Sequence, residues 1–144
     1  MSGPMGKKTK KLTLPARLEN LECFQNFIST CAKHHSLSRD QIFKLQLASE
    51  EALVNIFAYA YSRQAPGDVC VICTRNAHKD FQIIFEDSGK PFDMLSVSDP
   101  DINLALTDRP VGGLGIFFIK KMTDSVHYER KDGKNILTFC ITTS

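Results

Sequence analysis

Glu51 and Asn55 have residue types and a spacing that suit metal binding and general-base catalysis. They lie four residues apart in a segment whose apolar residues recur at steps of three and four, which predicts a helix with both side chains on one face. An asparagine amide oxygen is a suitable Mg²⁺ ligand, and a carboxylate one turn away can orient or deprotonate a nucleophile. On this pair alone, an exposed polar stripe of an amphipathic helix is the favoured interpretation.

Asp87 and Gly89 follow directly after residues 79–86, whose alternating pattern predicts a strand. A carboxylate at a strand end can accept a hydrogen bond from an exocyclic amine such as that of adenine. Glycine has no Cβ, so it lets the backbone approach a flat base closely. Asp, Ser and Gly are also common in plain strand-ending turns, and for this motif alone the turn is favoured.

The third segment is a glycine-rich turn, Gly112-Gly113-Leu114-Gly115, ahead of a helix predicted at 114–123. Free N–H groups and the dipole at a helix start attract phosphate. The spacing does not match the phosphate-binding loop GxxxxGK[ST], and no strand directly precedes it as a dinucleotide fingerprint requires. A lone turn of this kind is a weak signal.

In this order the three segments resemble the boxes of the GHKL ATPase superfamily, which includes histidine kinases and gyrase B. Glu51-x-x-x-Asn55 resembles the N box, Asp87-x-Gly89 the G1 box, and 112–115 the G2 box. The stretches DSGKPFD and GGLGIFFIKKMTDSVHYERKDGKNILTF are similar to the C-terminal half of the anti-sigma factor serine-protein kinases of partner-switching systems. The likeness covers nearly the whole chain after about residue 10 and implies the Bergerat-type two-layer α/β sandwich.

The resemblance also implies a role for individual residues. Asn55 would ligate an Mg²⁺ that bridges the ATP phosphates, and Glu51 would be the catalytic carboxylate. Asp87 would bind the adenine amino group, with Gly89 beside the ring. The lid and the phosphate-facing turn would contain Arg109, Gly113, Leu114 and Gly115. Thr138 would support the adenine site through its hydroxyl, although a routine strand threonine is an almost equally good interpretation.

One departure from the family pattern lies just after the N box. Family members often carry histidine there, whereas residues 59–61 read Tyr-Ala-Tyr. Tyr59 lies one turn beyond Asn55 and cannot carry the positive charge that a histidine can. Glu50 is a second acidic candidate, but only Glu51 is four residues before Asn55.

The elements that must position these residues follow from hydrophobic periodicity and turn chemistry. Ser38 and Gln41 form a predicted capping box, and Asp132-Gly133 a predicted hairpin turn. Predicted strands lie at 11–17, 68–76, 79–86, 125–130 and 135–142, and predicted helices at 18–34, 39–62 and 114–123. Residues 87–112 break the pattern and indicate a lid or binding loop. This order predicts a mostly antiparallel sheet with helices on one face, a two-layer α/β sandwich.

Composition excludes several classes of protein. With 144 residues, 42% hydrophobic and 24% charged, the chain fits one domain after a disordered 1–10. The resemblance makes 11–144 a histidine kinase-like ATPase domain. A net charge of +2 gives no argument for nucleic acid, and no apolar run of membrane-spanning length occurs, so the cytoplasm is the expected compartment. The five cysteines are an odd number without the spacing of a disulfide framework, so they are expected to be reduced structural thiols. Cys70 and Cys73 lie three apart in a predicted strand and face opposite ways, which disfavours joint metal ligation.

The expected function is therefore that of an ATP-dependent serine/threonine protein kinase. Its substrate would be an anti-sigma-factor antagonist, and its other partner a sigma factor or another regulatory target. The family resemblance implies a homodimer, and neither nucleic acid nor membrane is expected as a direct partner. The alternative is a non-catalytic, nucleotide-dependent protein-binding switch, suggested by Tyr59 in place of the usual histidine.

Overall fold

The computed structural model describes residues 9–96 and 119–143. Its elements are β1 (Lys10–Pro15), α1 (Leu21–His34), α2 (Arg39–Tyr59), β2 (Asp68–Arg75), β3 (Phe81–Asp87), β4 (Ser125–Lys131) and β5 (Lys134–Ile141). Short 3-10 turns occupy Leu18–Asn20 and Met94–Ser96, and residues 119–122 are helical. The predicted strands and the first two helices are thus present, while the predicted start of the third helix lies outside the described residues.

The five strands form one antiparallel sheet in the order β1-β2-β3-β5-β4. β1 is an edge strand, as predicted, and β5 lies between β3 and β4. The helices α1 and α2 cover one face, so the predicted two-layer α/β sandwich is confirmed. The β3–β5 register places Asp87 directly opposite Asn135.

Helix α2 begins at the predicted capping box. The Gln41 N–H donates to Ser38 Oγ at 3.1 Å, and the Ser38 N–H donates to Gln41 Oε1 at 2.9 Å. The helix ends at Tyr59, three residues before the predicted end. The Ala60 carbonyl, which a longer helix would pair with residue 64, instead accepts from the Lys90 N–H at 2.9 Å.

One core lies between the helices and the inner face of the sheet. On that face the alternating positions of the three central strands are buried: Val69, Val71, Cys73, Phe81, Ile83, Phe85, Leu137, Phe139 and Ile141. The rings of Phe85 and Phe139 pack edge to face with centroids 5.0 Å apart. Burial of each such ring stabilises the fold by about 1.5–3 kcal/mol.

Cys70 and Cys73 face opposite sides of β2, as their spacing predicts. Cys73 faces inward with 1% of its surface exposed, and a hydrogen bond with Cys31 together with burial raises the pKa of its thiol. Cys70 lies on the other face and is half-buried. All five cysteines are free thiols.

The β4–β5 hairpin turns at Asp132 and Gly133, which have φ angles of 53° and 77°. Two successive positive φ values are those of a type I′ turn, whose twist matches that of the strands it joins. The turn joins β4 and β5 in a register that pairs Lys131 with Lys134. Within residues 9–96 and 119–143, no helix combines the length and apolarity needed to cross a bilayer.

Candidate functional site

Glu51 and Asn55 lie in contact on α2. The Asn55 amide Nδ2 donates to the Glu51 carbonyl oxygen at 2.8 Å and to Glu51 Oε2 at 2.7 Å. Asn55 is 5% exposed, so this orientation is held in a largely dry environment. Because Nδ2 is taken up by Glu51, Asn55 Oδ1 is the atom available to another partner. Glu50 is exposed and makes no such contact, so the structure brings together the pair that the spacing predicts.

Asp87 ends β3 on the inner face of the sheet, where it is 5% exposed. Its Oδ1 accepts the Gly89 N–H at 2.9 Å and Asn135 Nδ2 at 2.9 Å. Within the described parts of the chain, no donor bonds to Oδ2. Asp87 therefore has one oxygen fixed by the protein and a second oxygen that can accept from a ligand amine.

Asn135 is a site residue that the sequence reasoning missed. It is buried at the start of β5, directly opposite Asp87, and its amide bonds to Asp87 itself. A signal was present in the sequence, because Asn135 shares the period-2 face of Leu137 and Phe139 and is a polar residue at an inward position. Recognising it required the pairing of β3 with β5, which are 48 residues apart at this point.

Thr138 is not brought to Asp87, contrary to what the resemblance implies. It lies three residues after Asn135, and an odd separation in a strand puts side chains on opposite faces. Thr138 pairs with Ile84 and His127 on the outer face of the sheet. Asn135 occupies the position beside Asp87 instead.

Gly89 is buried because its backbone packs against the end of α2. A Cβ at Gly89 would lie 2.1 Å from the Ala60 carbonyl oxygen. The neighbouring Lys90 N–H bonds to the same carbonyl, and Arg130 Nη1 donates to the Gly89 carbonyl oxygen at 2.8 Å. The contact that excludes a side chain at Gly89 in this structure is with Ala60, and the approach of a flat base to Gly89 stays a prediction.

A small cavity lies between α2 and the ends of β3 and β5. It has a volume of about 10 Å³, and Asp87, Phe92, Met94 and Tyr128 are among the residues that line it. This volume has room for about one water molecule, so a planar ring can enter only if part of the wall moves. Phe92 and Met94 follow β3 and lie outside the sheet, which makes them the walls best able to move.

Tyr59 contacts one of those walls. Its ring centroid lies 5.6 Å from that of Phe92, with the planes tilted by 48°. The residue that stands where the resemblance expects a histidine is thus an aromatic neighbour of the cavity.

A larger open depression of about 770 Å³ lies nearby, lined by 58–62, 65–68 and 88–90. Of the motif residues, Gly89 lines it but Asp87 and Asn55 do not, so it lies next to the cavity beside Asp87 and is distinct from it. Tyr61 bridges its sides, donating to the Asp68 carbonyl oxygen at 2.7 Å and accepting the Ser88 N–H at 2.8 Å. Burial raises the pKa of the Tyr61 hydroxyl, so it keeps its proton to a higher pH than an exposed tyrosine does.

The predicted lid and turn residues Arg109, Gly113, Leu114 and Gly115 lie outside the described residues, and their roles stay predictions. The described end of that region is helical at 119–122. Ile119 is fully buried there, and Thr123 Oγ1 donates to its carbonyl oxygen at 2.9 Å.

Comparison with known proteins adds independent findings. The family model of the histidine kinase-like ATPase domain matches residues 14–141. The chain is 28% identical over 96 residues to the serine/threonine-protein kinase BtrW of Bordetella bronchiseptica, and the aligned stretch covers 67% of each chain. It is 24% identical over 132 residues to the serine-protein kinase RsbW of Bacillus cereus, covering 88% of this chain and 81% of that one. RsbW of Halalkalibacterium halodurans is 27% identical over 130 residues, covering 88% and 78%.

Two solved structures share the fold. The crystal structure of the RsbU and RsbW domains of a Mycobacterium tuberculosis protein matches with a TM-score of 0.65 at 11% identity, covering 93% of this chain and 32% of that chain. The histidine kinase domain of the blue-light activated histidine kinase of Erythrobacter litoralis matches with a TM-score of 0.56 at 14% identity, covering 84% and 60%. This chain therefore spans about a third of the first structure and less than two thirds of the second.

Proposed function

The chain belongs to the histidine kinase-like ATPase domain family, and on that premise we propose that it is an ATP-dependent serine/threonine protein kinase. The observation that carries the proposal is the Glu51–Asn55 pair, joined at 2.7 Å inside the segment that matches the family. The names of the relatives at 24–28% identity, serine or serine/threonine-protein kinases, support the same activity.

Adenine would be recognised at Asp87. Asp87 Oδ2 would accept from the exocyclic amine of the base, since Oδ1 is already occupied by Gly89 and Asn135. The ring would enter the cavity beside Phe92 and Met94 after these side chains move. A buried carboxylate is a strict acceptor when ionised, which favours a base that offers an amine over one that offers a carbonyl.

Magnesium would be held by Asn55. Its Oδ1 fits that role, because Nδ2 is fixed by two oxygens of Glu51 and the amide cannot turn without losing both bonds. Mg²⁺ takes few protein ligands and fills its octahedron with water and phosphate oxygens, so one amide oxygen suffices here. When bound, the ion neutralises charge on the transferring phosphoryl group.

Glu51 would act on the acceptor hydroxyl. One of its carboxylate oxygens is fixed by Asn55, which leaves Oε1 to receive the serine proton. The new serine O–P bond forms as the bond between the γ-phosphorus and the β,γ-bridging oxygen breaks, and ADP leaves with that oxygen. The backbone of the predicted turn at 113–115 would contact the phosphates.

The proposed substrate is an anti-sigma-factor antagonist. A phosphate added at the interface introduces charge and would release the antagonist, so that the kinase is free to hold a sigma factor or another target. We also place the protein in the cytoplasm and expect it to be a homodimer. The similarity to RsbW and BtrW supports the antagonist and the sigma factor as partners.

A transfer assay tests the proposal. The antagonist is captured from the source cell with and without ATP, purified, and incubated with the kinase and γ-labelled ATP. Glu51→Gln keeps an oxygen that can accept from Asn55 Nδ2, so ATP affinity stays within about twofold while transfer falls about a hundredfold to ten-thousandfold. Glu50→Gln is the matched control and transfers at the wild-type rate. A wild-type protein that binds ATP but transfers no phosphate to the captured antagonist overturns the kinase activity.

The second candidate function is a non-catalytic switch, favoured by the Tyr59–Phe92 contact. This contact ties the end of α2 to a wall of the cavity, so entry of a base would move both without any phosphoryl transfer. Antagonist release in the Glu51→Gln variant separates the two functions. Release at the wild-type level shows that nucleotide binding is the switch, and loss of release shows that chemistry is.

A further inference from the structure

We propose that Tyr128 is a positioning residue for nucleotide recognition, acting on Asp87 through Asn135. The inference rests on the proposed ATP site. Tyr128 OH donates to Asn135 Oδ1 at 2.5 Å, and Asn135 Nδ2 donates to Asp87 Oδ1 at 2.9 Å. A hydroxyl on the edge strand β4 is thereby connected to the carboxylate on the central strand β3.

Every hydrogen-bonding position of the Asn135 amide is filled. Oδ1 also accepts the Phe92 N–H at 3.1 Å, and Nδ2 also donates to the Lys90 carbonyl oxygen at 2.8 Å. Two donors face the oxygen and two acceptors face the nitrogen, so a flipped amide would lose all four bonds. The orientation of Asn135 is therefore fixed by its surroundings, and Tyr128 supplies the one side-chain donor among them.

The orientation of Asn135 decides which oxygen of Asp87 is available. With Nδ2 of Asn135 and the Gly89 N–H both on Oδ1, only Oδ2 is left for a ligand. Asp87 and Asn135 are each 5% exposed, and hydrogen bonds in such a dry environment strengthen one another. Loss of the Tyr128 hydroxyl would leave Asn135 Oδ1 with one donor, the Phe92 N–H, and would allow the amide to move. The hydrogen bond from Asn135 Nδ2 to Asp87 Oδ1 would then be weaker.

Strand β4 also holds the loop that follows Asp87. Arg130 lies two residues after Tyr128 on the same face of β4, and its Nη1 donates to the Gly89 carbonyl oxygen at 2.8 Å. The edge strand thus contacts both the carboxylate network and the adjoining loop. Tyr128 also lines the small cavity, so its ring and its hydroxyl must be separated by experiment.

The test pairs a hydroxyl deletion in the protein with an amine deletion in the ligand. Tyr128→Phe keeps the ring and removes the hydroxyl. Dissociation constants are measured by calorimetry for ATP and for purine riboside triphosphate, which lacks the exocyclic amine. Tyr128→Phe weakens ATP binding by about threefold to tenfold, the value of one hydrogen bond, and changes binding of the analogue by less than about twofold.

A double-mutant cycle and a matched tyrosine variant complete the design. In an Asn135→Ala background, Tyr128→Phe has no further effect on ATP affinity, because the hydroxyl acts through the amide. Tyr59→Phe removes the hydroxyl of a tyrosine whose ring contacts the cavity wall at Phe92, and any change it causes is equal for the two nucleotides. The melting temperature of each variant without nucleotide shows that the fold is retained.

The outcomes are distinct. An equal loss for both nucleotides in Tyr128→Phe means that the residue is merely structural and overturns the inference, and so does no loss for either. A further loss in the Asn135→Ala background overturns the route through the amide. A wild-type protein that binds neither nucleotide overturns the proposed function itself.

Discussion

Replacing Gly89 with alanine would test whether the loop after β3 is held against the end of α2. The added Cβ would lie 2.1 Å from the Ala60 carbonyl oxygen, 2.6 Å from its carbonyl carbon and 2.8 Å from its Cβ. Two of these atoms are backbone, which cannot rotate aside as the end of a long side chain can. The loop or the helix end must therefore shift by more than about 1 Å to restore ordinary contact.

The shift would strain three hydrogen bonds. These are Lys90 N–H to the Ala60 carbonyl at 2.9 Å, Gly89 N–H to Asp87 Oδ1 at 2.9 Å, and Arg130 Nη1 to the Gly89 carbonyl at 2.8 Å. Overpacking costs about 1–3 kcal/mol, and each lost hydrogen bond about 1 kcal/mol. We expect the free energy of unfolding to fall by roughly 2–4 kcal/mol, which lowers the melting temperature by roughly 8–16 °C at this chain length.

Thermal unfolding followed by circular dichroism measures the loss of stability, and calorimetry with ATP measures the effect on the site. ATP affinity should fall at least about tenfold, because the shifted Gly89 N–H no longer holds Asp87. Gly133→Ala is the control: an added Cβ there meets no atom within 4 Å, and only its φ of +77° opposes alanine. That conformation costs about 1–2 kcal/mol and leaves ATP affinity unchanged. A Gly89→Ala protein that melts within about 2 °C of wild type and binds ATP normally would refute the close packing.

Three further changes have expected outcomes. Asn135→Ala lowers the free energy of unfolding by about 2–3 kcal/mol in urea titrations, because it removes the buried amide that bonds to Asp87, Tyr128, Phe92 and Lys90, whereas Thr138→Val, on the other face of β5, changes it by less than about 0.5 kcal/mol. Burial raises the pKa of Tyr61 above its ordinary value of 10.0, so the folded state keeps the phenolic proton longer than the unfolded chain does. Stability should therefore fall as pH rises above about 10, and the fall should be smaller in Tyr61→Phe, as urea titrations between about pH 8 and 11 would show. N-ethylmaleimide should label the exposed Cys23 in the folded protein but Cys73, 1% exposed and with a raised pKa, only after unfolding, as peptide mass spectrometry would show.

Local chemistry predicts most of the fold. The capping box at Ser38 and Gln41, the alternation along β3 and the Asp132-Gly133 turn each involve neighbours within a few residues, and the structure contains all three. The end of α2 was predicted wrongly because it depends on a distant contact. Ala60 pairs with Lys90, which is 30 residues away, and nothing in the local sequence marks that contact.

The same distinction between local and distant contacts applies to the site residues. Glu51 and Asn55 could be paired from sequence because a helix fixes the relation of residues one turn apart. Asn135 was missed and Thr138 chosen in its place, because the relation between β3 and β5 depends on strand register rather than on local spacing. The reason for Gly89 was likewise hidden, since the atom that excludes a side chain there belongs to Ala60 on another element.

The position of β5 has a consequence for synthesis of the chain. It is the last of the five strands to be made, yet it lies between β3 and β4. A nascent chain without residues 134–141 leaves the β3 edge open and gives β4 no neighbour, and open edges are prone to pair with other chains. The same strand carries Asn135, so closure of the sheet and completion of the Asp87 network are one event. Nucleotide binding to ribosome-bound chains of increasing length would therefore begin only when β5 has emerged from the ribosome.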